Sequence, residues 1–146
     1  MLLFDTVFRG IGLSYERYRD WLEEAIDDLE VAKGLFQLGK WSKVCFFSHQ
    51  AAEKALKAFS IKKLGIYIHI HSIVKLLEEI NKAVNLPKEL AMRAGKLDRH
   101  YIPTRYPNAW PALPPYKHYS RDDAEEALGI AVEVVEFVKR EIERDP

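Results

Sequence analysis

One cysteine, Cys45, is all the thiol in this chain of 146 residues, and that shortage removes intrachain disulfides and thiolate metal clusters together. A reducing compartment, the cytoplasm, is the expectation. Seven glycines are scattered along the chain without forming a phosphate-cradling loop. A nucleophile elbow and paired catalytic carboxylates are missing as well, so phosphotransfer and acyl transfer have no support. No apolar run reaches the roughly eighteen residues of a spanning helix, and no membrane role is expected. An excess of one charge is lacking too: 22 basic residues face 22 acidic ones, so any basic site is local. The opening MLLFDTVFRGIGL is apolar but has no basic n-region, carries Asp5 and Arg9, and lacks a small-residue cleavage site. It is not expected to be a signal peptide. Two glutamines and three asparagines beside abundant Glu and Lys lean toward a thermophile.

What is present is helical periodicity. Residues Tyr18, Leu22, Ala25, Leu29, Ala32 and Phe36 recur at steps of four and three, which predicts a first helix over about 13–38. Gly39 stops it. A second helix begins at Trp41-Ser42, and the short connection implies an antiparallel hairpin. Its stripe, Val44, Ser48, Ala51, Ala55 and Ala58, is built of small residues that admit a close neighbour, so this helix is expected to be the most buried. The run IYIHIH after Gly65 alternates like a strand but has no partner strand and reads as a linker. Ser72 caps a third helix through Ile73, Leu76, Leu77 and Ile80, and Pro87 fits the first turn of a fourth through Leu90 and Leu97. Ser120-Arg-Asp-Asp opens a last helix with a capping-box pattern, and Ala124, Ala127, Ala131, Val134, Val138 and Ile142 form its stripe. With 48% hydrophobic residues, the whole chain, 1–146, is expected to be a single domain. The fold class expected is all-α: an antiparallel up-and-down bundle of four to five helices with a long Pro/Tyr-rich loop before the last helix.

That loop, Leu97 to Tyr119, holds five of the seven prolines and four of the seven tyrosines. A packed bundle alone does not require it, and long ordered loops need a reason. Within it Arg105 sits between Pro103 and Pro107, so its guanidinium is presented from a stiff backbone, either to a phosphate or to a carboxylate such as Asp98 or Glu53. Tyr101, Tyr106, Trp110, Tyr116 and Tyr119 suit either base stacking or a packed loop. On the second helix Gln50, Glu53, Lys54 and Lys57 share one face. They read as a phosphate-facing row with Glu53 orienting a lysine, or as an amphipathic edge whose lysine stems cover apolar surface. His69, His71, His100 and His118 lack the spacing of a metal site, and no metal or cofactor is expected. His71, beside the Ser72 cap, is placed to hydrogen-bond backbone at the helix start.

Taken together, His49-Gln-Ala-Ala-Glu-Lys-Ala-Leu-Lys-Ala58, His71, Leu97-Asp98, Tyr101-Ile102, Thr104 and Arg105-Tyr106-Pro107 resemble the pattern of the HEPN family over nearly the whole chain. The first helix with its Asp28-Leu29 and Ala32, and the alanine-rich last helix, fall where that family puts them. The resemblance implies a helical bundle, usually a homodimer, with a polar cleft for nucleotide or RNA made by the second helix and the Tyr101 to Tyr106 segment. Gln50, Glu53, Lys54, Lys57, His71, Tyr101, Arg105 and Tyr106 are then its nucleotide- or phosphate-binding residues. It also implies a minimal nucleotidyltransferase partner in a toxin–antitoxin-like pair. Active members of the family are metal-independent ribonucleases with an Arg and a His separated by four to six intervening residues. Arg93 and His100 meet that spacing as a candidate catalytic pair, although Ala94 stands where a polar residue usually follows the arginine. A third expectation is an interaction protein in which the loop is a dimer surface and Arg105 a structural pin.

Overall fold

The computed structural model describes residues 17–144. Five α-helices carry the fold: α1 (Arg17–Gln37), α2 (Trp41–Leu64), α3 (Ile73–Asn81), α4 (Lys88–Gly95) and α5 (Arg121–Arg144). The expected all-α bundle with its loop before the last helix is what is observed. The expected start of the first helix before residue 17 lies outside the described residues, as does the opening apolar segment.

Helix α2 is the centre of the bundle, with α1 and α5 packed along it. Its expected stripe, Val44, Ser48, Ala51, Ala55 and Ala58, is fully buried, and Leu56, Phe59 and Ile61 extend the core to either side. The small residues let backbones approach, and the large ones fill the space between. From α1 come Tyr18, Ala25, Leu29 and Ala32, and from α5 Ala124, Ala127, Ala131, Val134 and Val138. Gly39 joins α1 to α2 at φ +71°, and Gly65 ends α2 at φ +70°, both in the left-handed region where a side chain is strained. The 66–72 segment is an irregular connection, as expected of a linker.

The loop differs from expectation in one respect. Prolines exclude a long helix here, but they do not exclude tight turns, and three short 3-10 turns form: Lys96–His100, Pro107–Ala109 and Pro115–His118. Pro107 and Pro115 begin two of them, where a fixed φ helps and no amide donor is needed. At the far end the capping box forms: the Ser120 amide donates to Asp123 Oδ2 at 2.9 Å and the Asp123 amide to Ser120 Oγ at 3.3 Å.

Asp98, in the first of these turns, anchors the loop. It accepts from the amides of Ile73 (2.7 Å) and Val74 (3.0 Å) and from the Ser72 hydroxyl (2.8 Å), while Ser72 Oγ accepts from the Lys75 amide (3.2 Å). The start of α3 is thus capped from two directions, one local and one 25 residues distant. Burial pushes the Asp98 carboxyl up, but hydrogen bonds from His49, from the Val74 and Ile73 amides and from Ser72 outweigh it and hold it at about 2. A depressed carboxylate contributes stability that is complete above its ordinary value of 3.8 and is lost as pH falls toward 2. Asp98→Ala is therefore expected to lower unfolding free energy at neutral pH by about 2 kcal/mol. Urea denaturation should also show the variant losing less stability than wild type as pH falls below about 4.

Candidate functional site

The polar residues of α2 are not one row facing solvent. His49, Glu53 and Lys57 recur every four residues and all three are buried, so they form a polar stripe inside the bundle. Lys57, 1% exposed, donates to Glu53 Oε2 at 2.9 Å, and its ammonium lies 5.2 Å from the Tyr67 ring centre and 5.6 Å from that of Trp21. Glu53 therefore orients a lysine, as expected, but that lysine points inward and corrects the reading of Lys57 as a phosphate contact. Lys54 leans the other way and pairs with Asp28 of α1 at 2.6 Å. Burial raises the Asp28 carboxyl and Lys54 pulls it back, leaving it above its ordinary value. Lys54 also borders a recess of about 310 Å³ with Arg17, Asp20, Trp21 and Glu24.

Glu53 Oε2 also accepts from His71 Nδ1 at 3.1 Å. This corrects the expectation that His71 bonds backbone: it reaches across from the α3 start to the buried carboxylate. The His71 side chain is nonetheless 64% exposed, whereas that of Glu53 is 4% exposed. The second oxygen, Glu53 Oε1, is buried with no hydrogen-bond partner, 3.9 Å from His49 Nδ1. His49 donates from Nε2 to Asp98 Oδ1 at 3.2 Å and accepts at Nδ1 from the Gln50 amide at 3.2 Å, so the neutral Nε2–H tautomer satisfies both bonds.

Tyr101 closes the arrangement. Its ring lies 5.1 Å from that of His49 and stacks on His71 at 5.6 Å with 15° between planes. Arg105 lies against the same ring at 5.0 Å, and also at 4.4 Å from Phe46 and 4.9 Å from Tyr106. Its Nε donates to the Tyr101 carbonyl at 3.1 Å. Among the described residues no carboxylate pairs with Arg105, so the expected bridge to Asp98 or Glu53 is replaced by an aromatic cage. Of the sequence-predicted binding residues, His71, Tyr101, Arg105 and Tyr106 are thus brought together around the Tyr101 ring and the Arg105 guanidinium. Gln50 and Glu53 support that face from α2, and Lys54 stands apart beside α1.

Arg93 and His100 are not joined. Arg93 makes a two-pronged bridge to Glu133 of α5, both distances 3.0 Å, on an exposed surface. His100 is 3% exposed, its ring lies 5.8 Å from that of Tyr119, and its Nδ1 has no hydrogen-bond partner. Burial, with the Arg99 guanidinium beside it, holds His100 down at about 4. Within this chain the two residues of the candidate catalytic pair are apart: Arg93 is occupied by a carboxylate and His100 is enclosed. The other histidine expected near the loop, His118, stacks on Trp110 at 3.9 Å, and Trp110 donates to the Pro103 carbonyl at 2.7 Å. Trp110 and Tyr119 therefore belong to loop packing, while Tyr116 remains exposed. Cys45 is buried, and burial with Asp123 nearby pushes its thiol up to about 12, which excludes thiolate chemistry at neutral pH.

Sequence reasoning missed the roles of His49, Asp98, Phe46 and Trp21. The four-residue recurrence of His49, Glu53 and Lys57 was the available signal for the first, because polar groups on an otherwise apolar stripe need partners. Nothing in sequence spacing links Phe46 to Arg105.

The fold and this face define a class: an antiparallel helical bundle that presents a caged arginine and a carboxylate-held histidine beside its central helix. The HEPN domain pattern matches residues 18–142, and the chain belongs to that family. Among solved structures it is similar to TT1696 from Thermus thermophilus, with 44% identity and a TM-score of 0.80 over 85% of this chain and 97% of the other. It is also similar to ST0689, described as an archaeal HEPN homologue, with 36% identity, TM-score 0.72, and 86% and 98% of the two chains covered. A Methanocaldococcus jannaschii protein named "Putative toxin MJ1304" is 29% identical over 139 residues, 89% of this chain and 90% of its own length. Among the described residues no helix is long and apolar enough to cross a membrane.

Two measurements check the site's architecture. Replacing Lys57 by Met leaves Glu53 buried without its closest cation, and a cost of about 3 kcal/mol is expected in chemical denaturation. Adding Glu53→Leu to that variant should recover most of it. His100 is expected to destabilise the fold on acidification: a depressed histidine contributes stability that is complete above its ordinary 6.5 and is lost as pH falls toward 4. His100→Phe should flatten the stability profile across that window, read by thermal melts at stepped pH.

Proposed function

We propose that this chain is a nucleotide- or RNA-binding module whose ligand seats on the His71, Tyr101, Arg105 and Tyr106 face. One observation carries the reading: Arg105 is held by three aromatic rings and a backbone carbonyl, with no carboxylate partner among the described residues. A guanidinium neutralised by an acid has little left for a phosphate. One fixed by π-faces keeps its charge and part of its donor fork, in a geometry set before the ligand arrives. The exposed Tyr106 and the outer face of His71 add aromatic surface on which a base stacks.

Membership in the HEPN family supports a homodimer working beside a minimal nucleotidyltransferase, and the name of the Methanocaldococcus jannaschii relative supports a toxin–antitoxin-like setting. We include both in the proposal. Strand cleavage by Arg93 and His100 is left out of it, since Glu133 occupies the arginine and burial keeps the histidine neutral.

The test is titration with mononucleotides and short single-stranded RNA at low salt. Binding should weaken as salt rises, and Arg105→Ala should cost at least about tenfold in affinity. Lys54→Ala should change it little, because that ammonium is occupied by Asp28. Failure of every nucleotide to bind at low salt, or binding indifferent to Arg105→Ala, would overturn the proposal.

A further inference from the structure

Two features on this face are unexplained by packing. The first is the buried Glu53–Lys57 pair. For stability alone, a desolvated ion pair in the middle of the central helix is a poor use of core volume, and apolar residues there are often neutral or better. The second is the destination of the pair's carboxylate: Glu53 Oε2 is shared between Lys57 and His71, while Glu53 Oε1 is buried and unpartnered. A buried carboxylate with unused acceptor capacity holds Nδ1 of an exposed imidazole and leaves Nε2 toward solvent. A positioned imidazole of this kind gains a proton readily when an anion arrives.

We infer that His71 and Arg105 form a clamp for a doubly charged terminal phosphate, with His71 taking up a proton as the phosphate docks. The inference rests on the nucleotide-binding reading above and names the ligand class within it: nucleotides that end in a phosphomonoester, as opposed to internal or cyclic phosphodiesters. Both groups lie against the single Tyr101 ring, the His71 imidazole at 5.6 Å and the Arg105 guanidinium at 5.0 Å. The stacking fixes their relative position. Charge decides the preference. Arg105 alone matches the single charge of a diester, whereas an imidazolium beside it matches the second charge of a monoester.

The groups around His71 favour the proton's arrival. From α2, Glu53 is in contact, with Lys57 and His49 behind it; from the loop, Tyr101 is stacked on it and the Asp98 carboxylate binds the adjoining Ser72 and Ile73. Tyr67 and His69 precede it in the connecting segment, and burial with Glu53 nearby raises the Tyr67 hydroxyl, so Tyr67 is neutral. Two carboxylates thus stand near and Lys57 is already paired with one of them, while the Arg105 guanidinium on the same Tyr101 ring opposes the proton until a phosphate dianion offsets both charges. Proton uptake and phosphate binding are then linked, each strengthening the other by the same factor.

Calorimetry with adenosine 5′-monophosphate and with adenosine 3′,5′-cyclic monophosphate tests this at pH 8, where the monoester is a dianion. Each titration is run in two buffers of different ionisation enthalpy. The expected result is that the monoester binds about tenfold tighter than the cyclic diester and that only the monoester takes up protons. His71→Gln, which keeps a hydrogen bond to Glu53 but cannot take a proton, should bring monoester affinity down to the diester's and abolish the uptake. Equal affinity for the two nucleotides, or proton uptake unchanged in His71→Gln, would overturn the clamp and leave nucleotide binding standing. Failure of both nucleotides to bind would also overturn the clamp, and the RNA titration above then decides the binding reading by itself.

Discussion

The carboxylate of Asp98 is the constraint on which the rest of the site depends. It sits in the turn that follows α4, yet its partners lie elsewhere: the first amides of α3, the hydroxyl of Ser72 and the ring of His49 on the central helix. Without it the α3 start would hold only its local serine cap, and the proline-rich loop would lose its hydrogen bond to His49 of α2. Because a charge-assisted bond to a helix N-terminus gains from the dipole as well as from the individual amides, one small side chain fixes two elements at once. His71 immediately precedes the capping Ser72, and Tyr101 is three residues beyond Asp98. The two rings that stack on each other are therefore positioned by the same anchor.

Inside that frame the buried polar stripe of α2 works as a register device. Lys57 and Glu53 pair within α2 and move together, but sliding or rotating α2 against its neighbours would part His49 from Asp98 and Glu53 from His71. Apolar packing tolerates small slips, whereas this stripe does not. The same stripe connects the interior to the surface, since Glu53 bonds His71, which stacks on Tyr101, and the His49 ring itself lies against Tyr101.

Much of the fold was legible because its signals are local. The stripes of α1, α2 and α5, the Gly39 stop, the Ser72 cap and the Ser120–Asp123 box each depend on residues within one or two helical turns, and periodicity or capping chemistry registers them directly. The site was legible only in its membership. Arg105, His71 and Tyr101 stood out from composition and from resemblance to the HEPN pattern, but their partners did not. Glu53 and His71 are 18 residues apart, His49 and Asp98 are 49 apart, and no local rule decides whether a lysine on a helix edge turns in or out. Lys54 and Lys57 show the difficulty. They are three residues apart on one helix, and Asp28 draws one outward to α1 while Glu53 holds the other inside. The spacing of Arg93 and His100 is limited in the same way: separation in sequence says nothing about Glu133, which comes from another helix and bridges the arginine.

The proline-aromatic loop gains its reason from this arrangement. A long irregular segment is costly to order, and a helix across the same span would satisfy its backbone more simply. What a helix would not do is place Tyr101 against His49 and His71 while turning Arg105 back over that same ring. The turn between the first two 3-10 segments makes that reversal: the Arg105 amide donates to the Ile102 carbonyl at 3.1 Å, and its Nε returns to the Tyr101 carbonyl four positions back. Thr104, fully buried, donates to the His100 carbonyl at 2.7 Å and holds the inner side of the turn. Trp110, donating to the Pro103 carbonyl, braces the outer side. The loop is thus built as a rigid mount for one cation, and a rigidly mounted cation without an acidic partner is a feature that stability alone does not require.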